Sequence, residues 1–231
     1  GRMPRVFDTV IVASEAELDL LEARFTELAD LDVVHVIAES PVDLRGNPKP
    51  LWFWENAYDR EGVPGRFTRW HGRWNHVRVE PYELPERGDA KARKDALREY
   101  LAHATCAEPD VVILHGSVDE VPAEWAVREI AEEAGTIALP VALEMRWCAY
   151  DAGRVHPLPW RGTVAHTWRH VGSFAGLREK RTTLPAVVGA GTRLSMWGQE
   201  GDRAVHPDGH ALWNAEPDGT WPKWVRAKFP C

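Results

Sequence analysis

The sequence has no window approaching the roughly 18 consecutive apolar residues of a membrane span. It has no excess of positive charge either: 28 lysines and arginines face 35 aspartates and glutamates, a formal net charge of −7. Affinity for a long phosphate backbone comes mostly from clustered Lys and Arg, so no extended nucleic-acid surface is expected. A local basic pocket for one small anion is compatible with the balance. Cysteine is scarce, and Cys106, Cys148 and Cys231 lack metal-like spacing. Their odd number argues against a disulfide framework and fits a reducing, cytoplasmic setting. No basic and apolar leader opens the sequence, and Gly1 and Arg2 ahead of Met3 read as cloning remnants. Glycine-rich phosphate loops, serine nucleophile elbows, Cys/His dyads, internal repeats and low-complexity tracts are all lacking.

What is present is an ordinary globular composition, 44% apolar and 27% charged over 231 residues. That length suits one α/β domain spanning residues 3–231. Tryptophan is the oddity, with 12 residues. Aromatic rings bury large areas and mostly fill cores, yet one or two of this set are expected to face a sugar.

Val6 to Ala13 is a short β-branched apolar run, as expected of a buried strand. Ser14-x-x-Glu17 reads as a capping box before a helix with Leu18, Leu21, Phe25 and Leu28 on one face. Val33 to Ala38 is a second buried strand, so the chain opens strand–helix–strand, the start of a parallel sheet. His76 to Glu80 reads as a third strand, Asp89 to Ala104 as a helix, Asp110 to Leu114 as a buried strand and Ala123 to Ala134 as a helix. Thr136 to Tyr150, Thr163 to Trp168 and Arg193 to Trp197 look like strands with fewer helices between them. The pattern predicts a βα front half to about residue 135, a β-rich half to about 200, and an irregular tail.

In open α/β sheets, ligands bind beyond the carboxyl ends of the strands. The segment leaving the fourth strand is His115-Gly116-Ser117-Val118-Asp119-Glu120-Val121-Pro122. Adjacent carboxylates after a buried strand, beside a glycine, suit Mg²⁺ or Mn²⁺, with phosphate oxygens and water completing the shell. The plain structural alternative is that Asp119 and Glu120 begin the next helix, where acids are favourable.

Several blocks together resemble glycosyltransferase family 17. They are Phe7-Asp8-Thr9; Glu17-Leu18-Asp19-Leu20-Leu21-Glu22 with Arg24 and Glu27-Leu28; and Glu39-Ser40 with Gly46-x-Pro48-Lys49-Pro50-Leu51 and Phe53. Arg93 and Arg98 keep the spacing of two arginines in the family's next helix, and Val118-Asp119-Glu120-Val121-Pro122 matches the end of its Asp-x-Asp-Glu-Ile-Pro signature. Trp160-Arg161-Gly162 before a strand is a weaker echo. The resemblance implies a GT-A-like, Rossmann-type sheet with helices on both faces and inverting transfer from a nucleotide-sugar, in familiar members UDP-N-acetylglucosamine. It also implies a divalent cation, Mn²⁺ or Mg²⁺, at Asp119 and Glu120. Asp8, Lys49, Arg93, Arg98, Ser117 and Asp119 become candidate donor-binding residues.

Two positions depart from the family pattern. Ser117 stands where the first aspartate of the Asp-x-Asp pair is expected, and Arg193 where a late histidine is expected. A serine brings no charge and an arginine cannot ligate a metal. Arg193 is therefore expected either to contact the diphosphate directly as a fixed cation or to sit in an ion pair at a strand end. On the first reading metal is needed weakly or not at all. Inversion also needs a general base, for which Glu144, Asp151, Glu200 and Asp202 are candidates; Glu144 stands out in the apolar VALEMRW strand. Arg93 and Arg98 lie about 140° apart around a helix, so they do not share a ligand. The His166/His170 and His206/His210 pairs are not expected to bind metal. The acceptor is left open by the sequence. A nucleotidyl or phosphoryl transferase would want a second acidic cluster, which is lacking, and a degenerate nucleotide- or glycan-binding relative is the other alternative.

Overall fold

The computed structural model describes residues 5–106, 108, 110–149, 154–170, 172–195 and 213–214. In chain order its elements are β1 (Val6–Ile11), α1 (Glu17–Glu27), β2 (Val33–Glu39), α2 (Trp52–Ala57), β3 (Trp74–Arg78), α3 (Ala90–Thr105), β4 (Val112–His115) and β5 (Glu120–Pro122). There follow α4 (Glu124–Glu132), β6 (Val141–Ala149), β7 (Arg154–Val155), β8 (Trp160–His166), α5 (Phe174–Lys180), β9 (Ala186–Val187), β10 (Gly191–Ser195) and β11 (Trp213–Asn214).

The front half is a parallel sheet in the order β3-β2-β1-β4. Because side chains alternate across a strand, β1 splits its residues between two layers. Val6 and Val10 face α1 and α4, packing with Leu18, Leu21 and Phe25 near one end and with Val127 and Ile130 near the other. Phe7 faces the opposite layer, with Leu97 and Leu101 of α3 and Phe174 of α5. Phe25 is fully buried, a burial that contributes on the order of 2 kcal/mol. Helices thus cover both faces, the mixed α/β architecture that the sequence implied.

Beyond β4 the sheet reverses character. β8 runs antiparallel to both β4 and β6. β10 pairs parallel with the end of β6 and antiparallel with β5, so it ties the loop after β4 to the strand-rich half. Among the described residues no helix is long and apolar enough to cross a membrane.

Two local readings are corrected. Glu17 accepts hydrogen bonds from the Ala13 and Ser14 amides, but the Ser14 hydroxyl does not cap α1, so only half of the capping box forms. Asp119 and Glu120 do not begin a helix, because Glu120 opens β5 opposite Arg193. Two helices escaped sequence reading. α2 has its first amides, Phe53 and Trp54, capped by the carboxylate of Glu39, remote in sequence. α5 is capped by Ser173, whose hydroxyl accepts from Gly176 N.

Candidate active site

A cavity of about 330 Å³ opens at the carboxyl ends of β1 and β4. Its floor and walls come from both halves. Ile11 and Ala13 leave β1, Glu17 opens α1, Lys94 and Arg98 project from α3, and Gly116 to Glu120 form the loop after β4. Trp160 of β8 and Arg193 of β10 close the far side. Lys94 and Arg98 are four residues apart, so one helix face presents both cations to the cavity.

The loop after β4 is held from below and from behind by two buried ion pairs. Below, Arg24 of α1 bonds Asp8 of β1 through Nε at 2.7 and 2.9 Å and through Nη2 at 2.6 Å. Its Nη1 donates to the carbonyls of Ser117 (3.1 Å) and Glu120. His35 of β2 completes the cluster, donating from Nδ1 to Asp8 at 2.8 Å and stacking on Phe25. Burial alone would push the Asp8 carboxyl up, but the charges of Arg24 and hydrogen bonds from His35 and Arg24 leave it far below the usual range. Asp8 is fully buried and outside the cavity. This corrects its assignment to the donor: it anchors the arginine that anchors the loop.

Behind the loop, the Glu120 carboxylate receives five donors. Arg178 of α5 grips it with Nη2 on Oε1 at 2.7 Å and Nη1 on Oε2 at 3.0 Å. Trp160 Nε1 donates to Oε1 at 2.9 Å, while Thr163 Oγ1 and Ser117 N each donate to Oε2 at 3.1 Å. Burial pushes Glu120 up, but Arg178 overrides it and the carboxyl falls to about 2. Two glycines permit this closeness: a Cβ at Gly116 would stand 2.3 Å from Thr163 Oγ1 and 2.9 Å from Glu120 Oε2, and one at Gly162 would stand 2.8 Å from Glu120 Cδ.

Asp119 points the other way, into the cavity. Arg193 Nε donates to its Oδ2 at 3.2 Å. The guanidinium of Arg193 lies 3.7 Å from the Trp160 ring centroid and 4.8 Å from that of Trp147, so it is fixed by cation–π contact as well as by charge. Burial and the neighbouring Glu120 push the Asp119 carboxyl up, with Arg193 opposing them. Glu17 is pushed up by burial. Lys94 is pushed down by burial and by Arg98, while Glu17 and Asp119 pull it back up.

A divalent cation fits Asp119 and Glu120 poorly. A carboxylate offers about four lone-pair positions, and five donors already occupy those of Glu120. Asp119 is left as one carboxylate shared with Arg193. Among the described residues no group of three or more His, Cys, Asp or Glu converges to hold a metal.

Of the other residues singled out from sequence, Arg98, Ser117, Asp119 and Arg193 line the cavity. Lys49 does not: its ammonium donates to Pro50 O at 3.1 Å and lies 3.9 Å from Glu39. Arg93 is buried away from the cavity and donates from Nε to the Glu86 carbonyl at 3.3 Å. Glu144, one of the candidate bases, accepts from Arg161 Nε at 3.3 Å and lies outside this cavity. The apolar strand tolerates it because Arg161 stands opposite it in register. Asp151, Glu200, Asp202, His206 and His210 lie outside the described residues. Sequence reasoning missed Lys94, Arg178 and the cavity-facing side of Glu17. The four-residue spacing from Lys94 to Arg98 was the available signal for the first.

The sequence pattern of glycosyltransferase family 17 matches residues 1–192. The chain belongs to that family. Comparison with curated proteins returns no match. Among solved structures, a mannosyltransferase from Pyrobaculum calidifontis in complex with GDP-Man and Mn²⁺ is similar at 13% identity and a TM-score of 0.41, covering 84% of this chain and 57% of that one. The galactosyltransferase LgtC, in complex with donor and acceptor sugar analogs, is similar at 11% identity and a TM-score of 0.35, covering 78% of this chain and 64% of that one. The family 17 chain therefore spans about three fifths of the length of these distant structures.

Proposed function

We propose that this family 17 chain is a glycosyltransferase that moves a sugar from a nucleoside-diphosphate donor to a hydroxyl acceptor with inversion at the anomeric carbon. The observation that carries the reading is the convergence of Lys94, Arg98 and Arg193 on one cavity at the carboxyl ends of β1 and β4. A diphosphate leaving group gains negative charge as the anomeric C–O bond breaks and its electron pair moves onto the phosphate oxygen. Fixed cations in a partly desolvated site stabilise that charge, and their rigidity costs little reorganisation. Arg193, stacked on Trp160 and paired with Asp119, is held for this role. Trp160 offers the donor sugar an aromatic wall.

Resemblance to family 17 supports UDP-N-acetylglucosamine as the donor and a divalent cation, Mn²⁺ or Mg²⁺, as cofactor, and the saturated Glu120 stands against the cation. No step here is routed through a metal, because Glu120 has no free lone pair for one. The acceptor hydroxyl loses its proton to a carboxylate. The proposal favours Glu200 and Asp202, which follow the cavity-lining strand β10 in sequence, over Glu144, which is ion-paired with Arg161 outside the cavity.

The test is donor consumption. Purified protein incubated with UDP- and GDP-linked sugars and a panel of hydroxyl acceptors should release nucleoside diphosphate from one donor selectively, and proton NMR should show an inverted anomeric configuration in the product. Retention would end the inverting mechanism, and no turnover of any donor would favour a degenerate binding relative. The substitution Ser117 and the Asp119–Arg193 pair favour that alternative reading. Asp119→Asn separates the two, since an enzyme loses rate and a pure binder has none to lose.

A further inference from the structure

We infer that the ammonium of Lys94, with the guanidinium groups of Arg98 and Arg193, takes the place of a divalent cation at the donor diphosphate. This deepens the donor-site reading above and rests on it.

The carboxylates around the loop are already matched by arginines. Glu120 is saturated by Arg178 and its other donors, and Asp119 is paired with Arg193. Asp8, below, is matched by Arg24. With Glu120 matched by Arg178 and Asp119 by Arg193, the cavity wall retains Lys94 and Arg98 as cations and Glu17 as a carboxylate. Among the described residues Lys94 makes no hydrogen bond or ion pair, although it lines the cavity and is largely desolvated. Arg98 spends Nη1 on Asp95 at 2.7 Å, and its remaining N–H groups make no hydrogen bond among the described residues.

A partly desolvated ammonium that shares one cavity with the Arg98 and Arg193 guanidinium groups is unfavourable by itself, because like charges repel and burial costs solvation. An anion arriving between them removes both penalties. Lys94 also lies within electrostatic reach of Glu17 and Asp119, the two cavity carboxylates that Arg178 does not neutralise. It supplies one positive charge to the cavity that those acids line, without requiring a coordination shell. Guanidinium groups flanking an ammonium give a diphosphate both bidentate and point-charge partners.

The experiment is calorimetric titration of the purified full chain with inorganic pyrophosphate and with UDP, each in EDTA and in Mn²⁺. The expected result is binding in EDTA within about threefold of that in Mn²⁺. Lys94→Ala and Arg98→Ala should each weaken it by about tenfold, the loss of one charge-assisted hydrogen bond. Lys94→Arg should retain most of the affinity, and Arg128→Ala, on exposed α4 surface, should leave it unchanged. Circular dichroism of each variant separates lost binding from lost folding. Binding that appears only with Mn²⁺ overturns the inference and leaves the donor reading standing. Binding in EDTA that survives Lys94→Ala and Arg98→Ala overturns the assignment of these residues. Binding of neither probe under either condition overturns both the inference and the proposed function.

Discussion

The two buried arginine–carboxylate pairs flank the same loop, yet they belong to different parts of the molecule. Arg24 and Asp8 lie in the parallel half, sealed under α1 and met by His35. Arg178 and Glu120 join the strand-rich half to the cavity, and their neighbours are Trp160, Thr163 and the loop amide of Ser117. The chemistry is the same and the consequence is not. Asp8–Arg24 lies outside the cavity and grips the loop's backbone carbonyls, whereas Glu120 and Arg178 bind the side chains of Trp160 and Thr163 as well as the Ser117 amide and the Gly162 carbonyl, and so tie the loop to the strand-rich half. Breaking the first should be read in stability, and breaking the second in donor handling.

The largest effect is expected for Arg24→Met. It strands the Asp8 carboxylate in the core and should cost about 3–5 kcal/mol in urea unfolding; a loss under 1 kcal/mol would mean water reaches Asp8. Next, Gly162→Ala places a Cβ 2.8 Å from Glu120 Cδ and should cost about 1–3 kcal/mol through overpacking. Glu120→Gln should cost a similar amount, about 1–3 kcal/mol, and lower kcat/KM for the donor at least tenfold. Asp8→Asn, by contrast, should leave the donor KM of the folded protein within about twofold. Equal KM changes in the two variants would erase the distinction between the pairs. The smallest effect belongs to Arg193→Lys, which keeps the charge and loses the flat stack on Trp160. Donor affinity should fall by the equivalent of about 0.5–1 kcal/mol, measured by titration.

Acidification separates the same regions by pH. Glu120 is held at about 2 in the folded chain against an ordinary value of 4.5. Its depressed value means the unfolded chain binds the extra proton, so its contribution is complete above pH 4.5 and is lost as the pH falls from there towards 2. His35 and His115 are buried and pushed below 6.5, burial being the main cause for both. They too favour folding fully above pH 6.5, and that contribution declines as the pH drops below it. Urea midpoints measured from pH 7 to pH 2.5 should fall in both windows, and Glu120→Gln should make only the lower fall shallower, because the depressed Asp8 carboxyl still contributes there.

The parallel half was legible in sequence because its strands are continuous apolar runs and its helices carry a repeating apolar face, as in Leu18, Leu21 and Phe25. α2 was not legible, because six residues hold no period and its cap, Glu39, arrives from β2. The site was partly legible. Arg98, Ser117 and Arg193 came into view through the resemblance to family 17, and Asp119 also because it follows a buried strand. Glu120 looked like a metal ligand because spacing shows neighbours along the chain and not the arginine 58 residues away that claims it. Asp8 and Lys49 failed for the same reason: each is consumed by a partner brought in by the fold.

β10 carries one last consequence, for the order in which the molecule comes into being during synthesis. Among the described residues it is, apart from the two-residue β11, the last strand of the sheet to emerge, and Arg193 meets Asp119 across 74 residues of chain. The four parallel strands are complete once His115 is made, so they can pair while the rest is still being translated. The cavity wall cannot. A nascent chain therefore acquires its scaffold before its site is closed, and an N-terminal fragment ending before β10 would lack the part of the cavity wall that Arg193 and Leu194 supply.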